Sequence, residues 1–250
     1  MISENDVIEA NKKFYDIIAD KYEETDGRRG AFPKWLDLIL KEISEKTGGR
    51  ILIDLGTGSG WIARRASKYF SSIIAVDISF NILRNINGNI KKVNAALERL
   101  PFKNNVADAA VCFAVIHHIY NVEPLIKESG RVLKRGGAFY SDHDISADFI
   151  KYFKIPLALY RKIFAAEKKY LKIDSRLTSE MYKLSEIHSN GVECGKLEKA
   201  FKNNGFSDLK ISFHWLGLTK LTDVLPGIFG RSKFFKRFAP LISASALKSK

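Results

Sequence analysis

Ile51-Leu52-Ile53-Asp54-Leu55-Gly56-Thr57-Gly58-Ser59-Gly60-Trp61-Ile62-Ala63 is the stretch whose reading decides the fold. Its apolar opening reads as a short buried parallel strand that ends at Asp54. Glycines at every second position follow, and then a helical pattern. Glycine is needed where a backbone turns sharply or lies against a ligand, because it has no Cβ to clash. A strand, a glycine turn and a helix start make a cradle for a nucleotide-like ligand. Dinucleotide folds space these glycines as G-x-G-x-x-G. Here the pattern is G-x-G-x-G, with an acid two positions before the first glycine.

Downstream, the spacing predicts a helix over Trp61 to Tyr69 and a strand from Ser71 to Val76 that ends at Asp77. Asp77 falls where a doubly wound fold places a carboxylate to accept from ribose hydroxyls. Ser79 caps a helix expected over 80–88. Strands follow at Ile90 to Asn94 and from Asp108 into His117-His118. After a helix from Glu123 to Leu133, Lys134-Arg135-Gly136-Gly137 turns into a fifth strand ending at Ser141-Asp142-His143-Asp144. Upstream, helical periodicity covers 4–24 and Pro33 to Lys46, with Gly27 and Gly30 breaking the chain between them.

The ordered phrases resemble those of the class I S-adenosylmethionine-dependent methyltransferases: Asp54-x-Gly-x-Gly-x-Gly60, Val76-Asp77-Ile78-Ser79, Leu100-Pro101-Phe102, Asp108 to His118, and Leu133-Lys-Arg-Gly-Gly137. The last signatures are similar to the small-molecule, quinone-biosynthesis-like branch (methyltransferase type 11). The resemblance implies an α/β, Rossmann-like, mainly parallel seven-stranded sheet with helices on both faces. It also implies an N-terminal helical lid and a helical insertion after strand five. One domain is expected: a cap over 1–48, a cofactor-binding core over 49–145, the insertion over 146–190 and the rest of the core over 191–250.

The resemblance also implies roles. S-adenosyl-L-methionine is the cofactor and S-adenosyl-L-homocysteine its product. Asp54, Gly56, Thr57, Gly58 and Gly60 would hold the methionyl end, Asp77 the ribose, and Ile78 and Leu97 the adenine faces. Phe113 would lie beside the methionyl group. Phe14-Tyr15-x-x-x-Ala19-x-x-Tyr22 resembles a family opening in which an aromatic, Tyr15 or Tyr22, reaches the cofactor. Ala96 stands where the family usually has an aspartate for the adenine amino group, so a backbone carbonyl, Asn94 or a water must serve instead.

Methyl transfer is an in-line displacement at a sulfonium, so the protein supplies alignment, exclusion of water and, where needed, a base. Histidine has the right unperturbed pKa for that base. His118 and His143 are the catalytic candidates. His117, His118, His143 and His188 are the candidates for contact with the acceptor. No zinc spacing is present among His, Cys and Asp, so no metal is expected.

Composition bounds the partners. The chain has 250 residues and a net charge of +13. Residues 1–149 carry only +1 of it, and 150–250 carry +12. Nucleic acid, an anionic membrane surface or an acidic small substrate could each use that basic part. Aromatics interleave with Lys and Arg over 150–172 and 219–238. Neither an amino-methylating N/D-P-P-Y motif nor an RNA C5-type cysteine is present, which favours a small, lipophilic or acidic acceptor. An RNA methyltransferase and a catalytically silent cofactor-binding protein are the alternatives. A polar N-terminus, Cys112 inside a buried strand, and no long apolar run lead to the expectation of a cytoplasmic protein without disulfides or a membrane span.

Overall fold

The computed structural model describes residues 2–22, 33–154, 166–188, 190–215 and 239–249. Seven strands form one sheet: β1 (Ile51–Leu55), β2 (Ser72–Asp77), β3 (Lys91–Asn94), β4 (Ala107–Phe113), β5 (Leu133–Ile145), β6 (Phe206–His214) and β7 (Leu241–Lys248). Their order is β3-β2-β1-β4-β5-β7-β6. The pairs from β3 to β5 are parallel, and β7 inserts antiparallel to both β5 and β6. This is the mixed, mainly parallel, seven-stranded Rossmann-like sheet that the motifs imply.

Alternation along each strand feeds two cores, because successive side chains point to opposite faces. On one face Ile53, Leu55, Ala110 and Cys112 pack against α5 (Val122–Val132) and α9 (Cys194–Asn203). On the other, Leu52, Ala109 and Val111 pack against α2 (Pro33–Thr47), α3 (Trp61–Ala66) and α4 (Phe80–Arg84). Both faces are covered, which is why these strands read as continuous apolar runs.

The outer helices make a third cluster. Helix α1 (Glu4–Ile18) starts with a reciprocal cap, in which Ser3 Oγ accepts from Asp6 N and the Asp6 carboxylate accepts from Ser3 N. Such a box satisfies two helix-end donors. Its apolar stripe includes Phe14 and Ile18, which meet Leu177, Tyr170 and Tyr182 of the insertion. Within that insertion lie α6 (Ala147–Tyr152), α7 (Ala166–Leu171) and α8 (Ser179–Ser185). The N-terminal helix and the insertion therefore pack on each other.

Several boundaries differ from expectation. Helix α3 stops at Ala66 and α4 at Arg84. The 4–24 helix ends at Ile18 and continues as a tighter turn over Ala19–Lys21. Strand β4 ends at Phe113 because Ala114 takes a left-handed φ of 52°. The expected glycine break at 27 and 30 and the basic, aromatic stretches 155–165 and 219–238 lie outside the described residues. No helix among the described residues is long and apolar enough to cross a membrane.

Candidate active site

The cavity opens at the carboxyl ends of β1, β2, β4 and β5, where an open α/β sheet binds its ligands. The turn after β1 is built around Asp54. Its Oδ2 accepts from Thr57 Oγ1 at 2.6 Å and from Ala63 N at 3.1 Å. Ala63 is in the first turn of α3, whose cap position is Gly60 and so has no side chain to offer. Asp54 thus supplies the cap from the preceding strand. Gly56 N and Thr57 N both donate to Val76 O, each at 2.9 Å, folding the turn back onto β2.

Asp77 ties the same turn to the end of β2. Its Oδ2 accepts from Gly58 N and its Oδ1 from Ser79 N, both at 3.0 Å. Ser79 Oγ in turn donates to Asp16 Oδ1 of α1 and accepts from Ile82 N. The N-terminal helix is therefore anchored to the strand that carries Asp77. Burial raises Asp54 to about 7 and Asp77 to about 6, against the hydrogen bonds that would lower them.

Glycine is required in this turn. Gly56 and Gly58 have φ of 67° and 53°. A Cβ on Gly56 would lie 2.6 Å from Val115 Cγ2, and one on Gly58 would lie 3.0 Å from Tyr22 Oη. From Gly58 a row of rings leads away from the turn. Tyr22 meets Tyr15 edge-on at 5.8 Å, and Tyr15 meets His118 edge-on at 5.6 Å.

The far end of that row is polar. His118 Nδ1 bonds to Ser185 O, and Tyr15 Oη lies 3.0 Å from His118 Nε2. A carbonyl can only accept, so Nδ1 carries the proton and Nε2 accepts from the phenol. Burial, followed by the neighbouring His117, lowers His118 to about 4. His117 Nδ1 lies 2.7 Å from Asp144 Oδ1, and His117 Nε2 lies 3.9 Å from Glu186 Oε2. Beside Phe113, His143 sits at a left-handed φ of 68° with Nδ1 2.8 Å from Asp142 Oδ1. His214 Nε2 bonds to the same oxygen at 2.8 Å, and Tyr140 Oη donates to Asp142 Oδ2. Burial alone would raise Asp142, but the bonds from both imidazoles hold it down to about 2.

Of the residues singled out from sequence, Tyr15, Tyr22, Asp54, Gly56, Thr57, Gly58, Asp77, Ile78, Ala96, Leu97, Phe113, His117, His118 and His143 line this one cavity. Gly60 does not line it. It shapes the helix start, packed against Ile86. His188 does not line it either, and its backbone N donates to His117 O. Asn94 spends its amide on Asp77 O and Ile78 O at the end of β2, so it fixes the strand end rather than facing adenine.

Sequence reasoning missed Asn11, Glu98, Tyr170 and Glu186, all of which line the cavity. Asn11 donates to Val7 O and His118 O, while its buried Oδ1 has no partner among the described residues. Burial raises the pKa of the Glu98 carboxyl from its ordinary value. Only Glu98 had a signal, as the acid two residues beyond Ala96.

An open, mainly parallel sheet with its cavity at the strand ends and a paired-carboxylate glycine turn defines a Rossmann-like nucleotide-type site. Residues 53–141 match the family described as a methyltransferase domain. The ubiquinone/menaquinone biosynthesis C-methyltransferase UbiE of Allorhizobium ampelinum is 30% identical over 146 residues, 53% of this chain and 55% of that one. The match thus spans about half the length of that relative. The uncharacterized protein MJ1252 of Methanocaldococcus jannaschii is 27% identical over 248 residues, 96% of this chain and 91% of its own. Among solved structures, phosphoethanolamine N-methyltransferase 2 of Haemonchus contortus, in complex with S-adenosyl-L-methionine, is similar with a TM-score of 0.64 at 16% identity. That likeness covers 100% of this chain and 61% of the other. Residues 53–141 are thus similar to a methyltransferase domain, and the fold is shared with S-adenosylmethionine-dependent methyltransferases.

Proposed function

We propose that this protein transfers the methyl group of S-adenosylmethionine to a small acceptor held at the histidine end of the cavity. The observation that carries the reading is the shared cavity. The glycine turn with Asp54 and Asp77 and the side chains of Tyr15, His117, His118 and His143 all line it. Each carboxylate oxygen accepts two or more bonds, so Asp77 can take ribose hydroxyls beside Gly58 N and Ser79 N. Asp54 would hold the cofactor's ammonium, a pairing that would favour its ionised form. Glu98 takes the adenine amino group in place of the aspartate missing at Ala96. When bound, the cofactor supplies an electrophilic methyl group.

His143 is the base of this reading. Asp142 stays ionised and holds the Nδ1 proton of His143, which leaves Nε2 as the accepting nitrogen. His118 is the weaker choice, since burial and the neighbouring His117 lower its basicity to a pKa of about 4. The buried, aromatic lid of α1 and the insertion excludes water and suits a compact, partly apolar acceptor.

The test is calorimetric titration with S-adenosylmethionine and, separately, with NAD, in the wild type and in Asp77→Ala. The expected result is micromolar binding of S-adenosylmethionine alone, weakened at least tenfold in the variant. Absence of that binding would overturn the reading. Turnover is then sought against pooled small-molecule extract with labelled cofactor. RNA labelled in preference to small molecules would move the acceptor to nucleic acid.

A further inference from the structure

We infer that His117, His118 and Glu186 form a binding site for a first-row divalent cation at the acceptor end of the cavity. One ligand atom from each lies within 4.8 Å of the others. His117 comes from the turn after β4, whereas Glu186 follows α8 of the insertion. Two imidazoles and one carboxylate are the donor set that iron, zinc, cobalt and manganese accept, with positions left over for a ligand.

The second observation lies behind the ligands. A metal-bound imidazole coordinates through one nitrogen and donates the proton on the other to a carboxylate or a backbone carbonyl. Both histidines are arranged so. His117 Nδ1 faces Asp144 Oδ1 at 2.7 Å, and His118 Nδ1 bonds to Ser185 O. That places both protons on the outer nitrogens and both lone pairs on Nε2. His117 Nε2 is 3.9 Å from Glu186 Oε2, too far for a hydrogen bond. Two ligands on one ion, each about 2.1 Å from it, stand no more than about 4.2 Å apart, so that gap admits an ion. Tyr15 Oη, 3.0 Å from His118 Nε2, holds that second lone pair in the absence of an ion, so the ion displaces this hydrogen bond when it binds.

Charge favours the same answer. Asp144 is buried, its Oδ2 has no partner among the described residues, and Glu186 adds a second carboxylate. Among the described residues, no ion pair joins either acid to a Lys or Arg, and both have His117 as partner. The other cluster, Asp142, His143 and His214, lacks this arrangement. There both imidazole nitrogens point their protons at Asp142 Oδ1, which also accepts from His143 N. A saturated carboxylate facing N–H groups is a hydrogen-bonded set and not a ligand set.

The sequence spacing gave no sign of a metal, because Glu186 is nearly seventy residues beyond the histidine pair. The ion's use rests on the methyl-transfer reading: bound beside the acceptor, it would hold a hydroxyl or amine of that molecule and favour its deprotonated form.

The test uses untagged, full-length, metal-stripped protein titrated with Co²⁺ alone, followed by visible d–d absorption, with Zn²⁺ as competitor. One equivalent is expected to bind. Glu186→Gln should weaken binding at least tenfold, and Asp144→Asn by about 10–100-fold, the usual effect of a carboxylate behind a ligand. His117→Ala should abolish it. If a variant does not fold, Glu186→Gln, on a half-exposed residue, carries the test. Featureless spectra, or bands unchanged in Glu186→Gln, would overturn the site. Bands lost only in Asp142→Asn would overturn it too, by placing the ion on the other cluster. S-adenosylmethionine calorimetry with and without a chelator is a separate readout, so a failed metal site and a failed cofactor assignment are told apart.

Discussion

Tyr22 Oη sits 3.0 Å from the point where a Cβ on Gly58 would be, so an aromatic of the N-terminal cap rests directly on the glycine turn. Gly58→Ala should therefore act twice. A left-handed backbone costs an L-residue roughly 1–2 kcal/mol, and the new methyl presses on Tyr22. We expect at least tenfold weaker S-adenosylmethionine binding by calorimetry. Adding Tyr22→Ala should restore part of the stability but not the affinity.

Stability of the ligand-free protein should fall as pH rises from about 4 to about 7. Asp54 and Asp77 hold their protons up to about 7 and about 6 in the folded state, because burial disfavours the charge. In that window the folded state binds more protons than the unfolded state, whose aspartates titrate near 3.9. Each unit of rising pH therefore favours unfolding until Asp54 has ionised. Urea midpoints across this range test the slope. Asp54→Asn should flatten it, and a saturating cationic cofactor should reduce it by stabilising the ionised form.

Asp142 works in the opposite sense and in a lower window. Its hydrogen bonds to His143 and His214 overcome burial and hold it at about 2. The stability it contributes is complete above its unfolded value and is lost as pH falls from about 4 towards 2. Asp142→Asn should remove this acid-limb dependence and lower overall stability. A pH 2–5 melt series of both proteins checks it.

His143→Gln should lower kcat by about 10²–10⁴-fold, the usual worth of a general base, while changing the S-adenosylmethionine Kd less than threefold. Single-turnover rates with the identified acceptor give the first number and calorimetry the second. Equal losses in both would make His143 a structural residue.

Arg131 organises the loop beside Leu97 and Glu98. Its guanidinium donates to Leu100 O, Phe102 O and Asn104 Oδ1, and forks onto both oxygens of Glu128. Glu128 also accepts from Leu100 N. Arg131→Lys cannot reproduce that fork. We expect a loss of about 2 kcal/mol by denaturant titration, on the scale of a charged hydrogen bond, with weaker cofactor binding as the loop loosens.

The core from Ile51 to Asp144 was legible because its signals are local. A buried parallel strand is a short apolar run, a left-handed turn asks for glycine, and a carboxylate ending a strand is one residue in one phrase. Asp54, Gly56, Gly58 and Asp77 could be placed on these grounds. The exact helix ends were not legible. Trp61 to Tyr69 keeps its apolar spacing past Ala66, yet α3 stops there, because the chain must turn back to Ser71 N, which donates to Gly49 O.

What the sequence by itself determined is the sheet, its glycine turn and the likeness to methyltransferase domains, since each depends on neighbours within a few residues. What only the tertiary structure decided is which side chains share the cavity with the glycine turn. Asn11 of α1, His117 and His118 after β4, His143 on β5 and Glu186 after α8 come from separate parts of the chain, with no fixed spacing among them. The packing of α1 on the insertion and the crossing of β4 beside β5 bring them together. The choice among the histidines is likewise made by partners, Asp142, Asp144 and Ser185 O. A hydrogen-bond partner across the fold, not the residue's own identity, fixes which ring nitrogen carries the proton.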